Sequence, residues 1–160
     1  IHERLVGSEM CIRDRAKDYI NGYLNHFSGV AEYMNKMVAD AKENGYAQTL
    51  FKRRRYLPEL ASSNHMMRAF GERVAMNMPI QGTAADIIKI AMIRVDNRLE
   101  KENMKSRLIL QVHDELIVEC PVKEAEQVKK IVTAEMENVV QLKVPLLAEA
   151  KSGASWYEAK

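Results

Sequence analysis

Apolar residues from Ala16 onward return at three- and four-residue steps. Tyr19, Ile20, Tyr23, Leu24 and Phe27 fall on one side of a predicted helix. Gly29 interrupts it. A second helix comes next, with Val30, Tyr33, Met34, Met37, Val38 and Ala41 on one face. Asn44-Gly45 should end that helix, because glycine takes the left-handed conformation that a C-cap needs. Residues 46–57 read as two short extended arms around Lys52-Arg53-Arg54-Arg55, closed by Pro58, and residues 66–78 as a helix of mixed polarity. Pro79 suits a first helical position, where a missing N–H costs nothing. The helix expected over 79–102 has the clearest stripe in the chain: Ile80, Ala84, Ile87, Ile88, Ala91, Val95 and Leu99, read as a core face. Residues 1–15 show no clean periodicity.

The period then changes. Residues 108–112 and 116–119 are two strand-like runs, and His113-Asp114-Glu115 between them forms the expected tip of an antiparallel hairpin. Pro121 stops the second run. A helix should come after it, with Ala125, Val128, Val132, Met136 and Val139 facing inward. Residues 144–150 read as a last strand, broken by Ser152-Gly153. There is no internal repeat, low-complexity tract or flexible linker. Helix, hairpin, helix, strand is a layered α+β arrangement.

Composition adds limits rather than direction. The chain has 160 residues, enough for one domain with a real core, and is 47% hydrophobic and 29% charged, an ordinary globular balance. Net charge is only +2, so its distribution matters more than its sum. The run Lys52-Arg53-Arg54-Arg55, with Arg68 and Arg73 beyond it, can meet phosphates or can be a solvated loop. Cys11 and Cys120 are far apart and have no metal-ligand spacing, which fits a reducing cytoplasm. No apolar run approaches the roughly 18 residues of a membrane span, and the first 15 residues hold no apolar signal segment. The chain starts at Ile1 rather than Met, which leads us to expect a fragment.

Two clusters could do chemistry. Asp114 and Glu115 stand beside His113 at the tip of an apolar hairpin, where like charges repel unless a cation is present. A hard divalent ion such as Mg²⁺ prefers carboxylate oxygens and would relieve the repulsion. Neighbouring strand residues point to opposite faces, so the two carboxylates should not have equal roles. Two-metal phosphoryl transfer needs a further carboxylate. Asp86 is a candidate by type, but its Ala and Ile neighbours favour a structural or helix-surface role. The alternative for the acidic pair is an exposed polar turn. The second cluster is Arg73, Asn77 and Gln81, spaced by four. On a continuous helix they form one polar row, suited to nucleic-acid acceptor atoms and base edges, or simply to solvent. Pro79 interrupts that row.

The motifs themselves carry a resemblance. Ile109-Leu110-Gln111-Val112-His113-Asp114-Glu115-Leu116 is similar to the palm motif C of family A DNA polymerases. The segment from Glu72 to Lys89 (ERVAMNMPIQGTAADIIK) resembles that family's ER-x₃-N-x-P-x-QG-[ST]-AAD segment. Residues 49–58 (TLFKRRRYLP) resemble its T-L-x₂-RRR-x-LP segment, and Ser152-Gly153-Ala154-Ser155-Trp156 its closing G-x₂-W. All four occur in the family's order with fitting separations, over roughly residues 16–160.

That resemblance implies a fold and a role. The fold is α+β: a partial polymerase palm, with an antiparallel hairpin, helices and a final strand, joined to the C-terminal helices of the fingers. Residues 16–60 would be the distal fingers, residues 61–160 the C-terminal palm, and residues 1–15 unassigned and non-native, an assembly artefact. Asp114 would be a metal ligand for Mg²⁺ and Glu115 a supporting carboxylate, the two forming the catalytic pair. His113 would lie near the primer end. Arg73, Asn77 and Gln81 would contact the template–primer duplex in the minor groove, whose acceptor pattern is nearly independent of sequence. The arginines of 49–58 would be structural or DNA-facing. The partners would be primer–template DNA and deoxynucleoside triphosphates, with no membrane, in a cytoplasmic monomer.

Departures from the family pattern limit what the chain does alone. The upstream metal-binding aspartate and the nucleotide-binding fingers helix lack counterparts here, so an isolated fragment is expected to be inactive. Ser28 stands where the family often has Pro, and Ser63 replaces a common Arg. A non-catalytic DNA-binding fragment is the second reading, and a metal-dependent hydrolase with an unrelated carboxylate pair the third.

Overall fold

Helical periodicity is realised over most of the chain in the computed structural model, which describes the backbone of residues 2–159 and side chains from residue 14. Helix α1 spans His2–His26, starting well before the helix expected from Ala16. The added stretch is free of proline and contains Glu3, Glu9, Arg4, Arg13 and Arg15, residue types that favour helix. Helix α2 spans Ser28–Asn44 and ends as the sequence predicts: Gly45 sits at φ 76° and returns its N–H to the Ala41 carbonyl. Strands β1 (Tyr46–Gln48) and β2 (Arg54–Tyr56) pair antiparallel, with Tyr46 opposite Tyr56. A 3₁₀ turn, Pro58–Ala61, leads to α3, His65–Asn77, whose start is capped by the Asn64 side chain accepting from the Met66 N–H.

The passage around Pro79 differs from expectation. Instead of opening a new α-helix, Pro79 sits inside a π-helical turn, Met78–Gly82, and α4 begins only at Thr83 and runs to Lys101. Proline has no N–H to give, and its ring crowds the carbonyl four residues earlier. Widening the ladder by one residue absorbs both problems without breaking the helix. The predicted stripe fails at its start. Ile80 is 62% exposed and Ala84 is exposed, whereas Ile88, Ala91, Val95 and Leu99 are buried as expected.

The remaining elements are β3 (Arg107–Val112), β4 (Glu115–Glu119), a 3₁₀ turn at Val122–Glu124 and α5 (Ala125–Glu137). The final strand expected over 144–150 does not form; that stretch has no regular structure. An extended segment becomes a strand only by pairing, and among the described residues the two ladders are β1–β2 and β3–β4. The stretch is held instead through the Ala148 N–H, which donates to Glu137 Oε1 at 3.1 Å.

The chain divides into two compact units, Ile1–Gln48 with Arg54–Pro79, and Thr49–Arg53 with Ile80–Lys160. These are packing units, and their bounds differ from the fingers (16–60) and palm (61–160) segments that the resemblance implies. The first unit is centred on Ala41, Ala47, Leu57, Leu60 and Ala75. Gly71 belongs to this packing: a Cβ there would come within 3.0 Å of Leu60 Cδ2 and 3.2 Å of Glu59 Cβ, so a side chain would require Leu60 and Glu59 to give way where α3 meets the 3₁₀ turn. The second unit is centred on Val95, Leu99, Val128, Ile131 and Val132, with Leu116, Val118 and Met136 packed on them. Ile131 joins Val128 and Val132 on the inward face of α5, a position that the predicted stripe omits. This core fixes the hairpin: Leu116 and Val118 plant one face of β4 on the two helices, so the tip is held from below.

Candidate functional site at the hairpin tip

The hairpin is built by alternation. Leu108 pairs with Val118, Gln111 with Leu116 and Val112 with Glu115. The register slips by one residue between Leu108 and Leu110, a bulge at Ile109 that bends β3 and strengthens its twist. Only His113 and Asp114 remain as loop, so the tip is tighter than the three-residue tip predicted, and Glu115 is the first residue of β4. His113 has φ 52°, in the left-handed region that costs a non-glycine residue roughly 1–2 kcal/mol. The Gln111 side chain holds the turn, its Nε2 donating to the His113 carbonyl at 2.5 Å. His113, Asp114 and Glu115 are all exposed.

The base of the hairpin is tied down separately. Glu124 Oε2 accepts from the Lys105 N–H, the Ser106 N–H (both 3.1 Å) and Ser106 Oγ at 2.6 Å. The Ser106 hydroxyl bond, with the backbone bonds from Lys105 and Ser106, holds the Glu124 carboxyl below the ordinary carboxylate range, against the opposing effect of burial. One carboxylate thus fastens the entrance of β3 to the approach of α5.

The structure brings His113, Asp114 and Glu115 together at one tip. Arg73 and Asn77 lie on α3 in the first unit, four residues apart and both exposed; Gln81, also exposed, lies in the second unit. Gln81 lies within the π turn that succeeds Asn77, so the three do not share the continuous α-helix assumed from their spacing. The basic run separates by role. Arg53 donates from Nε to Asp86 Oδ1 at 2.7 Å and from a terminal nitrogen to the Gly82 carbonyl at 3.0 Å. Arg54 lies 4.5 Å over the Tyr46 ring, and Arg68 donates to the Ser62 and Ser63 carbonyls. Lys52, Arg55 and Arg73 are exposed.

Asp86 is a structural carboxylate, buried at 9% exposure. Burial works against its charge, but hydrogen bonds from Thr49 and Arg53 and the Arg53 and Lys89 charges leave its carboxyl below the ordinary range. It is therefore committed to Arg53. Among the described residues no group of three or more His, Cys, Asp or Glu could hold a metal ion. Asp114 and Glu115 fit Mg²⁺ in chemistry, as exposed adjacent oxygen donors, and would supply part of its shell. Sequence reasoning missed the supporting roles of Gln111 and Arg53. A lone amide inside an apolar strand was the available signal for the first; for the second, nothing local to Arg53 distinguishes it from its neighbours.

An α+β chain that offers an acidic hairpin tip to solvent from a bed of two packed helices is the structural class these features define. The chain belongs to DNA polymerase family A, whose description matches residues 2–158. That match reaches into the segment 1–15 for which the sequence showed no counterpart. The chain is 51% identical over 148 residues to DNA polymerase I of Caldicellulosiruptor bescii, and 52% identical over 148 residues to that of Bacillus subtilis. In both cases the alignment covers 92% of this chain and 17% of the relative. Among solved structures it is similar to the POL domain of Pol1 from M. smegmatis in complex with DNA primer-template and dNTP, with TM-score 0.87 and 44% identity over 91% of this chain and 26% of that one. No helix among the described residues is long and apolar enough to cross a membrane.

Proposed function

We propose that this chain is the C-terminal portion of a DNA-directed DNA polymerase that adds deoxynucleotides to a primer 3′ end under template direction. The observation carrying this reading is the exposed His113-Asp114-Glu115 tip, in a chain of this family that is 44% identical to a polymerase domain solved with primer-template and dNTP. Residues 16–60 are assigned to the fingers and 61–160 to the palm.

Asp114 and Glu115 are the residues that would hold Mg²⁺, Asp114 as direct ligand and Glu115 in support. When bound, the metal would supply charge neutralisation at the primer 3′ oxygen and at the departing pyrophosphate. The chain's own residues do the rest. The core under Leu116 keeps the tip from yielding, and Gln111 holds the His113 carbonyl so that Asp114 keeps a fixed direction. His113 approaches the primer end. Arg73, Asn77 and Gln81 offer donors to minor-groove acceptors, which report pair geometry without preferring a sequence. Asp86 is engaged by Arg53, so the further carboxylate that two-metal transfer needs lies outside these residues and the 160-residue chain alone is inactive. We read the parent as a cytoplasmic monomer.

The test is primer extension by the full-length gene product and its Asp114→Ala variant. Extension by the first and none by the second is expected; undiminished synthesis by the variant would remove Asp114 from the site. The second reading, a non-catalytic DNA-binding module, is favoured for the isolated chain by the same engagement of Asp86. It predicts salt-sensitive binding of primer–template DNA without extension.

A further inference from the structure

We propose that Arg53 is a positioning residue: its guanidinium, held between the Asp86 carboxylate and the Gly82 carbonyl, fixes the turn that presents Gln81. The DNA-facing half of this inference rests on the reading of Gln81 given under Proposed function.

The geometry supports a strap rather than a surface cation. Arg53 grips two points four residues apart on the same helical path, at 2.7 Å and 3.0 Å. A second tie runs alongside, the Leu50 N–H donating to Thr83 Oγ1 at 2.9 Å. The segment is itself closed, with the Thr49 N–H donating to the Arg53 carbonyl at 2.9 Å and the Arg53 N–H to Thr49 Oγ1 at 3.2 Å. Lys52 accepts φ 68° to make that closure. Holding a non-glycine residue there is worthwhile only if the surroundings over-determine it.

The turn needs such a hold. A π turn has poorer hydrogen-bond geometry than an α-helix and is a weak point in the ladder. Gly82, the N-cap residue of α4, has no side chain with which to cap the helix. Gln81 is exposed, so little besides the backbone of this turn sets its direction. Burial of Asp86 makes the hold rigid, and the planar fork of arginine reaches a carboxylate and a carbonyl at once, which a lysine point charge does not. A displacement near 1 Å in a substrate-positioning group can cost up to about a hundredfold in rate.

The experiment uses the full-length gene product and its Arg53→Lys, Asp86→Asn, Gln81→Ala and Arg53→Lys/Gln81→Ala variants. Amide hydrogen exchange is measured at residues 80–83, and affinity for a fluorescent primer–template duplex is read by anisotropy. Arg53→Lys and Asp86→Asn should each speed exchange at 80–83 by about tenfold, the loss of one charge-assisted hydrogen bond, with helical circular dichroism retained. Arg53→Lys should also weaken DNA binding, and should add nothing further in the Gln81→Ala background. Unchanged exchange, or effects on affinity that multiply in the double variant, would overturn the strap. If Arg53→Lys loses its helical signal, Asp86→Asn decides by the same criterion. Wild-type affinity in Gln81→Ala would instead sink the DNA-facing reading, while the exchange data still decide the strap.

Discussion

The side-chain amide of Gln111 donates to the carbonyl of His113 at 2.5 Å, closing the hairpin tip from within the strand that leads to it. The bond matters because His113 stands at φ 52°. Histidine visits that region more readily than most residues, yet still at a cost.

Two substitutions separate the conformation of the tip from its chemistry. Gln111→Ala removes the tie and should loosen the tip by about 1 kcal/mol, the usual net worth of one hydrogen bond. Hydrogen exchange at the β3–β4 amides measures this. His113→Gly accepts the left-handed conformation without steric cost. Relief of about 1 kcal/mol of strain is offset by a similar entropic loss, so tip stability should be nearly unchanged. Primer extension by the full-length gene product should nonetheless fall if the imidazole approaches the primer end. A fall in extension together with a large loss of exchange protection would return His113 to a purely structural role.

The base of the hairpin should be acid-sensitive, with a sign set by Glu124. Its carboxyl in the folded chain sits below the ordinary value because Ser106 and the Lys105 and Ser106 amides donate to it. The ionised form therefore stabilises the fold. That contribution is fully present above the unfolded value of about 4.3 and is lost as pH falls through the lower folded value. Glu124→Gln should be less stable than the parent near neutrality, and the difference should shrink through that acid window. Denaturation or exchange measured from neutral pH down to about pH 3 checks it; a gap that stays constant would remove Glu124 as the cause.

Binding of DNA by the isolated chain should be governed by exposed cations, and Arg73 is one of them. Neutralised phosphates release counterions, so affinity falls with salt in proportion to the number of contacts. Arg73→Ala should weaken binding and reduce the logarithmic salt slope by about 1, without altering preference among duplex sequences. Arg54→Ala makes a useful contrast. Its guanidinium lies over Tyr46, so its loss should leave the slope closer to that of the parent. Anisotropy titrations at several salt concentrations distinguish the two.

Local rules made much of this legible in advance. Gly45 ends α2 because a helix stop needs a left-handed residue, and Val95 and Leu99 are buried because their spacing matches a helical face. The failures have a common form. Pro79 was a plausible helix start by local chemistry, but the chain continues through it as a π turn, and Ile80 is exposed. Residues 144–150 are apolar enough to suggest a strand, but Pro145 cannot donate to a ladder, and strand formation depends on a neighbour that local sequence does not name. The acidic tip was visible because Asp114 and Glu115 interrupt an apolar pattern. Arg53 and Asp86 were not visible as a pair, since 33 positions separate them and only the fold closes that distance.

The same dependence on neighbours sets the solution behaviour of the chain alone. Ile109 is 57% exposed and Leu110 47% exposed, on a sheet of two strands whose outer edges have no partner strand among the described residues. Unpaired edges with apolar side chains template association, and an isolated pair of strands has little stability of its own. The purified 160-residue chain should therefore self-associate as its concentration rises and melt over a broad range. Ile109→Lys should reduce association, because a charge at an edge blocks pairing. Its cost to the fold should stay within about 0.5 kcal/mol, since that side chain already faces outward. Sedimentation velocity and thermal melts of both proteins test this. A monodisperse parent with one sharp cooperative melt would show that the second unit's core, built on Val95 and Val132, suffices to hold the hairpin without a further strand.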